Sequence, residues 1–238
     1  MFPLKDDIPS KRFPIITIGL IVVNGIVFII ELLMGNYLHD FFLLYGVVPI
    51  RYTNSDIAEL FSLSEQLLPF ITSMFLHGGW VHLIGNMWTL WIFGDNVEDR
   101  LGHIRFLLLY LTGGIAAALM HIMTNQASVL PTIGASGAVA AAMGAYFRLY
   151  PHANVIMVFP PFFLGPYFVA PAIVFLGWWF ILQFFNGSLS LIADPNQLGG
   201  VAWWAHVGGF IYGAVLCSVI KTKHFYRRHY QEDELVPW

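Results

Sequence analysis

Between Ile15 and Met34 the chain reads IITIGLIVVNGIVFIIELLM, with Glu31 as its single ionisable side chain. A helix crossing the hydrocarbon core needs about 20 apolar residues, so this stretch predicts a membrane span. Five more apolar segments follow: Val81–Val97, Phe106–Met123, Gly137–Leu149, Tyr167–Phe185 and Ala202–Ile220. The composition agrees. The 238 residues are 58% hydrophobic and 11% charged, whereas a soluble domain carries about 25% charged residues. The expected fold is an all-α polytopic membrane protein: one domain over residues 1–238, six transmembrane helices, and short tails at 1–13 and 221–238. The second and fourth spans are short, so neighbouring helices must shield part of each.

Lys and Arg concentrate in cytoplasmic loops of membrane proteins. The basic residues are Lys5, Lys11, Arg12, Arg51, Arg100, Arg105, Arg148, Lys221, Lys223, Arg227 and Arg228. With six spans and both termini inside, only Arg51 of these eleven falls outside. The first outer loop, roughly 35–79, is long and holds apolar clusters (Phe41-Phe42-Leu43-Leu44-Tyr45 and Leu67-Leu68-Pro69-Phe70-Ile71) between polar stretches. An interfacial segment has this composition; a loop packed on the bundle is the alternative. Charges of both signs at Met1–Pro14, with no cleavage site after the first apolar run, argue against a removable signal peptide. Short tails favour a bacterial cytoplasmic membrane.

The net charge of −3 comes without a basic aromatic stripe, so nucleic acid is not an expected partner. Cys217 is the only cysteine, which precludes an intrachain disulfide and reads as a core residue. No His-Glu-x-x-His string is present, so zinc proteolysis lacks its ligands. No metal or organic cofactor is implied.

Polar residues inside apolar segments are expensive and usually functional. Spans two, four and six all enter from the outer side, and each delivers polar groups at a similar depth. His82 and Asn86 lie in the first turns of span two, Ser136 at the start of span four, and His206 about 6–9 Å into span six. A hydroxyl beside an imidazole is a nucleophile with its base. His82 and Asn86, at i and i+4, project together and suit an oxyanion hole, to which the Ser136 N–H at a helix start could add a donor. Ala135 joins this substrate-binding set. Two faces rich in small residues, Ser136/Ala140/Gly144 and Ala202/His206/Gly209/Gly213, would let spans four and six approach closely. Read singly, each polar residue is more often structural; their common depth on three helices favours catalysis. Glu31 and Asp95 lack acidic partners and are not placed to orient His206, which predicts a Ser–His dyad without an acid. His77 could brace the site structurally.

Four ordered elements resemble the rhomboid family of intramembrane serine proteases. Gly134-Ala135-Ser136-Gly137 is similar to its nucleophile motif, Ala205-His206-x-x-Gly209-x-x-x-Gly213 to its last-span motif, His82-x-x-x-Asn86 after Met74–Trp80 to its oxyanion segment, and Gly94-x-x-x-Glu98-x-x-x-Gly102 to a structural motif closing span two. The resemblance implies a six-helix fold, embedded in membrane lipids, and proteolysis of transmembrane protein substrates near their outer ends. Ser136 would be the nucleophile, His206 the general base and acid, and His82, Asn86 and backbone N–H groups the oxyanion donors. Aromatic span five, carrying Pro171, would be a lateral gate. Two departures stand out. Ala140 occupies the position of a tyrosine that stacks on the histidine in some relatives, leaving Trp203 or Tyr146 to hold His206. Arg51-Tyr52 is the nearest approximation to a Trp-Arg pair in the first loop. An inactive rhomboid-like binding protein and a transporter are the competing readings.

Overall fold

The computed structural model describes residues 2–158, 167–191 and 201–220. Six longer helices correspond to the six expected spans: α1 (Ile15–Leu33), α7 (Trp80–Leu101), α8 (His103–Thr124), α9 (Ser136–Leu149), α10 (Ala172–Ser190) and α11 (Trp203–Val219). The short helices between α1 and α7 are α2 (Leu38–Tyr45), α3 (Ile50–Thr53), α4 (Ser55–Ala58), α5 (Leu63–Leu67) and α6 (Pro69–Thr72). Among the described residues α1, α8 and α10 are long and apolar enough to cross a membrane, and α11 is a shorter apolar helix. The basic C-terminal tail, 221–238, lies outside the described residues.

α9 is the axis of the bundle. It packs against α7, α8 and α11, and Gly137 through Tyr146 are all buried. Its 14 residues span about 21 Å at 1.5 Å per residue, less than the roughly 30 Å hydrocarbon core. Its neighbours cover it, so a short helix suffices, as its small residues predicted. The contact with α11 is backbone on backbone. A Cβ on Gly209 would lie 2.1 Å from the Gly137 carbonyl oxygen, and one on Gly213 would lie 1.9 Å from that of Ala141. Without a hydrophobic drive between helices in lipid, close van der Waals packing of this kind carries the association.

Glu98 explains the Gly94/Glu98/Gly102 pattern. Its buried carboxylate accepts from the N–H groups of Ile16 (2.9 Å) and Thr17 (2.8 Å) and from the Thr17 hydroxyl (2.7 Å). These N–H groups belong to the first turn of α1 and have no intrahelical partner. α7 therefore caps α1 in place of a local side chain.

The first outer loop is a compact run of short helices. The segment Leu63–Phe75 makes an 80° bend with α7 and exposes Leu63, Leu67 and Leu68. Arg51 and Tyr52 do anchor it. Arg51 Nη2 donates to the Leu43 carbonyl (2.6 Å), with its guanidinium 4.0 Å from the centre of the Phe61 ring, and the Tyr52 hydroxyl donates to the Gln66 carbonyl (2.9 Å).

Two expectations are corrected. Residues 1–13 are not merely a tail, and 167–171 do not begin a helix. β1 (Phe2–Asp6), β2 (Asn154–Val158) and β3 (Phe168–Pro171) form an antiparallel sheet in the order β1-β2-β3. Pro171, expected inside span five, instead ends β3 and stands just before α10. The first N–H groups of α10, from Ala172 and Ile173, donate to the carbonyls of Ala153 (2.7 Å) and Pro151 (3.0 Å).

Candidate active site

Ser136 is the first residue of α9, and the chain reaches it through Gly134 at φ +122°, a conformation that favours glycine. This loop is fixed from the outer side. Val47 and Thr132 exchange backbone hydrogen bonds (3.0 and 2.8 Å), and Gly134 N–H donates to the Ser73 carbonyl (2.9 Å). The long outer loop thus sets the serine's approach, a task its composition did not reveal.

His206 lies one turn into α11. Its Nε2 is 2.8 Å from Ser136 Oγ. Its Nδ1 is 2.8 Å from Oε1 of Gln183, a buried amide on α10. Trp179 lies tilted over the imidazole at 5.9 Å between ring centres, and Trp203 meets it edge-on at 6.3 Å. Trp203 therefore contacts the ring as expected, whereas Tyr146 does not. The Tyr146 hydroxyl instead donates to Asp6, and its ring packs on Phe93.

His82 and Asn86 converge on the serine loop. A Cβ on Gly134 would fall 2.6 Å from His82 Cε1 and Nε2 and 3.7 Å from Asn86 Nδ2. The Asn86 amide also donates to His77 Nε2 (3.0 Å), and the His77 and His82 rings meet edge to face at 5.0 Å. Buried His77 in turn donates its backbone N–H to Glu31 (3.0 Å). Since an amide nitrogen carries two hydrogens, Asn86 keeps one N–H beyond the bond to His77. Ala135 is fully buried in the core, so its side chain does not face a substrate.

Gln183 is the site residue that sequence reasoning missed, although a signal existed. It is the one amide in the apolar run from Ile173 to Phe185, and an intramembrane polar group warrants a partner. No acid hydrogen-bonds His206 among the described residues. Glu31 accepts from His77, and Asp95 from the Ser10 hydroxyl (2.7 Å). Ser136, His206, His82 and Asn86 thus gather at one end of the bundle, a hydroxyl against an imidazole nitrogen with a second imidazole and an amide close by.

The Rhomboid domain family model matches residues 64–223, which include all of these groups. The chain belongs to the rhomboid family. Among curated rhomboid relatives, presenilin-associated rhomboid-like protein A, mitochondrial, of Danio rerio is 32% identical over 69% of this chain and 39% of its own length. Rhomboid protein 1, mitochondrial, of Saccharomyces cerevisiae is 37% identical over 39% of this chain and 28% of its own. Rhomboid-like protease 5 of Toxoplasma gondii is 31% identical over 68% of this chain and 17% of its own. The chain thus spans well under half the length of each of these rhomboids. β1 and α1 lie outside the matched stretch.

Proposed function

We propose that this rhomboid is an intramembrane serine endopeptidase cutting transmembrane protein substrates near the outer ends of their spans. The observation that carries the reading is the 2.8 Å approach of His206 Nε2 to Ser136 Oγ. As Ser136 Oγ attacks the scissile carbonyl carbon, its proton passes to His206 Nε2. The same nitrogen then protonates the leaving amine, giving an acyl-enzyme, and water with His206 as base releases the acid. The oxyanion would be held by His82, the free Asn86 N–H and the backbone around Ala135 and Ser136, all preorganised donors. The Toxoplasma gondii relative is named a protease, which supports the same chemistry here.

The membrane is the setting in either orientation, and the basic inner loops favour termini on the cytoplasmic side. Two of the relatives are named as mitochondrial. The exposed, aromatic α10 remains the proposed route for a substrate from lipid.

A serine-reactive fluorophosphonate probe tests the reading. It should label the wild-type protein in detergent and in liposomes, and both Ser136→Ala and His206→Ala should abolish labelling. Labelling that survives Ser136→Ala, or a folded wild-type protein that never labels, would refute it. The latter result would favour a rhomboid-like binding protein or a transporter.

A further inference from the structure

We propose that Gln183 is a positioning residue for the Ser136–His206 pair: it selects the imidazole tautomer that can act as a base and ties that choice to α10. The inference rests on the protease reading of the same site.

A neutral imidazole carries its proton on one nitrogen and accepts with the other. Gln183 presents Oε1, which can only accept, to His206 Nδ1 at 2.8 Å. The proton must therefore sit on Nδ1, leaving the Nε2 lone pair to face Ser136 Oγ at 2.8 Å. In the opposite tautomer an N–H would point at the serine oxygen, and the ring could take no proton from it. Serine hydrolase triads assign this task to a carboxylate, which also stabilises the imidazolium. Here an amide fixes the tautomer without adding a charge inside the bundle, where an unpaired carboxylate would be costly.

The location of the amide gives it a second role. α10 is far less buried than α8, and Ile173, Val174, Trp178, Ile181 and Phe185 face outward. Yet Gln183, on the same helix, is 7% exposed and aims inward. Trp179, also on α10, lies against the same imidazole. Two residues one turn apart on the peripheral helix, Trp179 and Gln183, thus hold the base. Hydrogen bonds weaken beyond about 3.2 Å, so a small outward displacement of α10 would release the ring from its productive tautomer.

Two measurements test this. In protein carrying 15N-histidine, the His206 signals, assigned by their loss in His206→Ala, should report the Nδ1–H tautomer under mildly alkaline conditions. Gln183→Leu should mix the tautomers and slow fluorophosphonate labelling of Ser136 about 10- to 100-fold, in line with misplacement of a catalytic group, while Gln183→Glu, which keeps the acceptor, should restore the rate. A wild-type His206 in the Nε2–H tautomer, or a folded Gln183→Leu protein that labels at the wild-type rate, would overturn the proposal. The tautomer measurement needs no Gln183 variant and stands even if Gln183→Leu fails to fold. Failure of the wild-type protein to label at all would count against the protease reading instead.

Discussion

Around Ser136 the polar groups form two arms. One arm is the imidazole of His206 with its Gln183 backing, and the other is the His82/Asn86 pair braced by His77 and, behind it, Glu31. The arms predict different phenotypes. Removing the base with His206→Ala should reduce cleavage and labelling to background. Truncating His82 or Asn86 to alanine should lower kcat about 10²–10³-fold, the usual loss for one oxyanion donor, with a smaller change in KM; steady-state kinetics on a transmembrane substrate would show the split. That Ser136, His206, His82 and Asn86 would gather was legible in the sequence because rare polar residues inside apolar runs announce themselves. Gln183 was as rare in its own run but had no motif to attach it to. His77 was expected to brace the site, but its partner, Asn86, could not be read, because that contact depends on how the chain turns between them.

Among the helices, α9 and α11 show what the small residues accomplish. Gly209→Ala would drive a methyl group into the Gly137 carbonyl oxygen, which is backbone and cannot swing away. We expect a loss of about 1–3 kcal/mol, as for other overpacked interiors, read as a lower melting temperature in detergent together with slower labelling as Ser136 and His206 separate. Gly25→Ala on α1 is the control. Nothing lies within 4 Å of its added Cβ, so the substitution should be neutral or stabilise by up to about 1 kcal/mol through helix propensity. The six helices themselves were legible, since apolar length is a strong signal even when the ends are uncertain. The segment from Tyr167 to Pro171 was misassigned because its apolar, aromatic residues suit a strand as well as a helix, and only pairing with β2 decides between them.

For the whole molecule, the sheet was the least legible feature. Phe2-Pro3-Leu4-Lys5-Asp6 is short, contains a proline and has no clean alternation, and its partner lies far along the chain. In the structure this segment joins the helix ends on that side of the bundle. Asp6 accepts from the Tyr146 hydroxyl of α9 and from Asn96 of α7 (2.8 Å), and Trp88 donates to the Pro3 carbonyl (2.7 Å). Burial raises the Asp6 carboxyl to about 7, the negative charges of Asp95 and Asp7 push the same way, and the Tyr146 hydrogen bond partly opposes them. An acid raised in the folded state binds its proton more tightly there than when unfolded. Its contribution is therefore complete below pH 3.8, the ordinary value, and is lost as pH rises through about 7. Hydrogen-exchange protection at residues 2–6, with the intrinsic pH dependence of exchange divided out, should fall on going from mildly acidic to mildly alkaline buffer, and Asp6→Asn should flatten that dependence. An unchanged slope in the variant would place the titrating group elsewhere.

The pairing of β1 with β2 also constrains the order of assembly. Asp7 bonds to Asn154, 147 positions later in the chain, so the first strand leaves the ribosome long before its mate exists. Contacts that close such long loops form late. The amino-terminal clasp should therefore fasten only after the four long helices translated before β2 have inserted, as a latch on the part of the bundle already built.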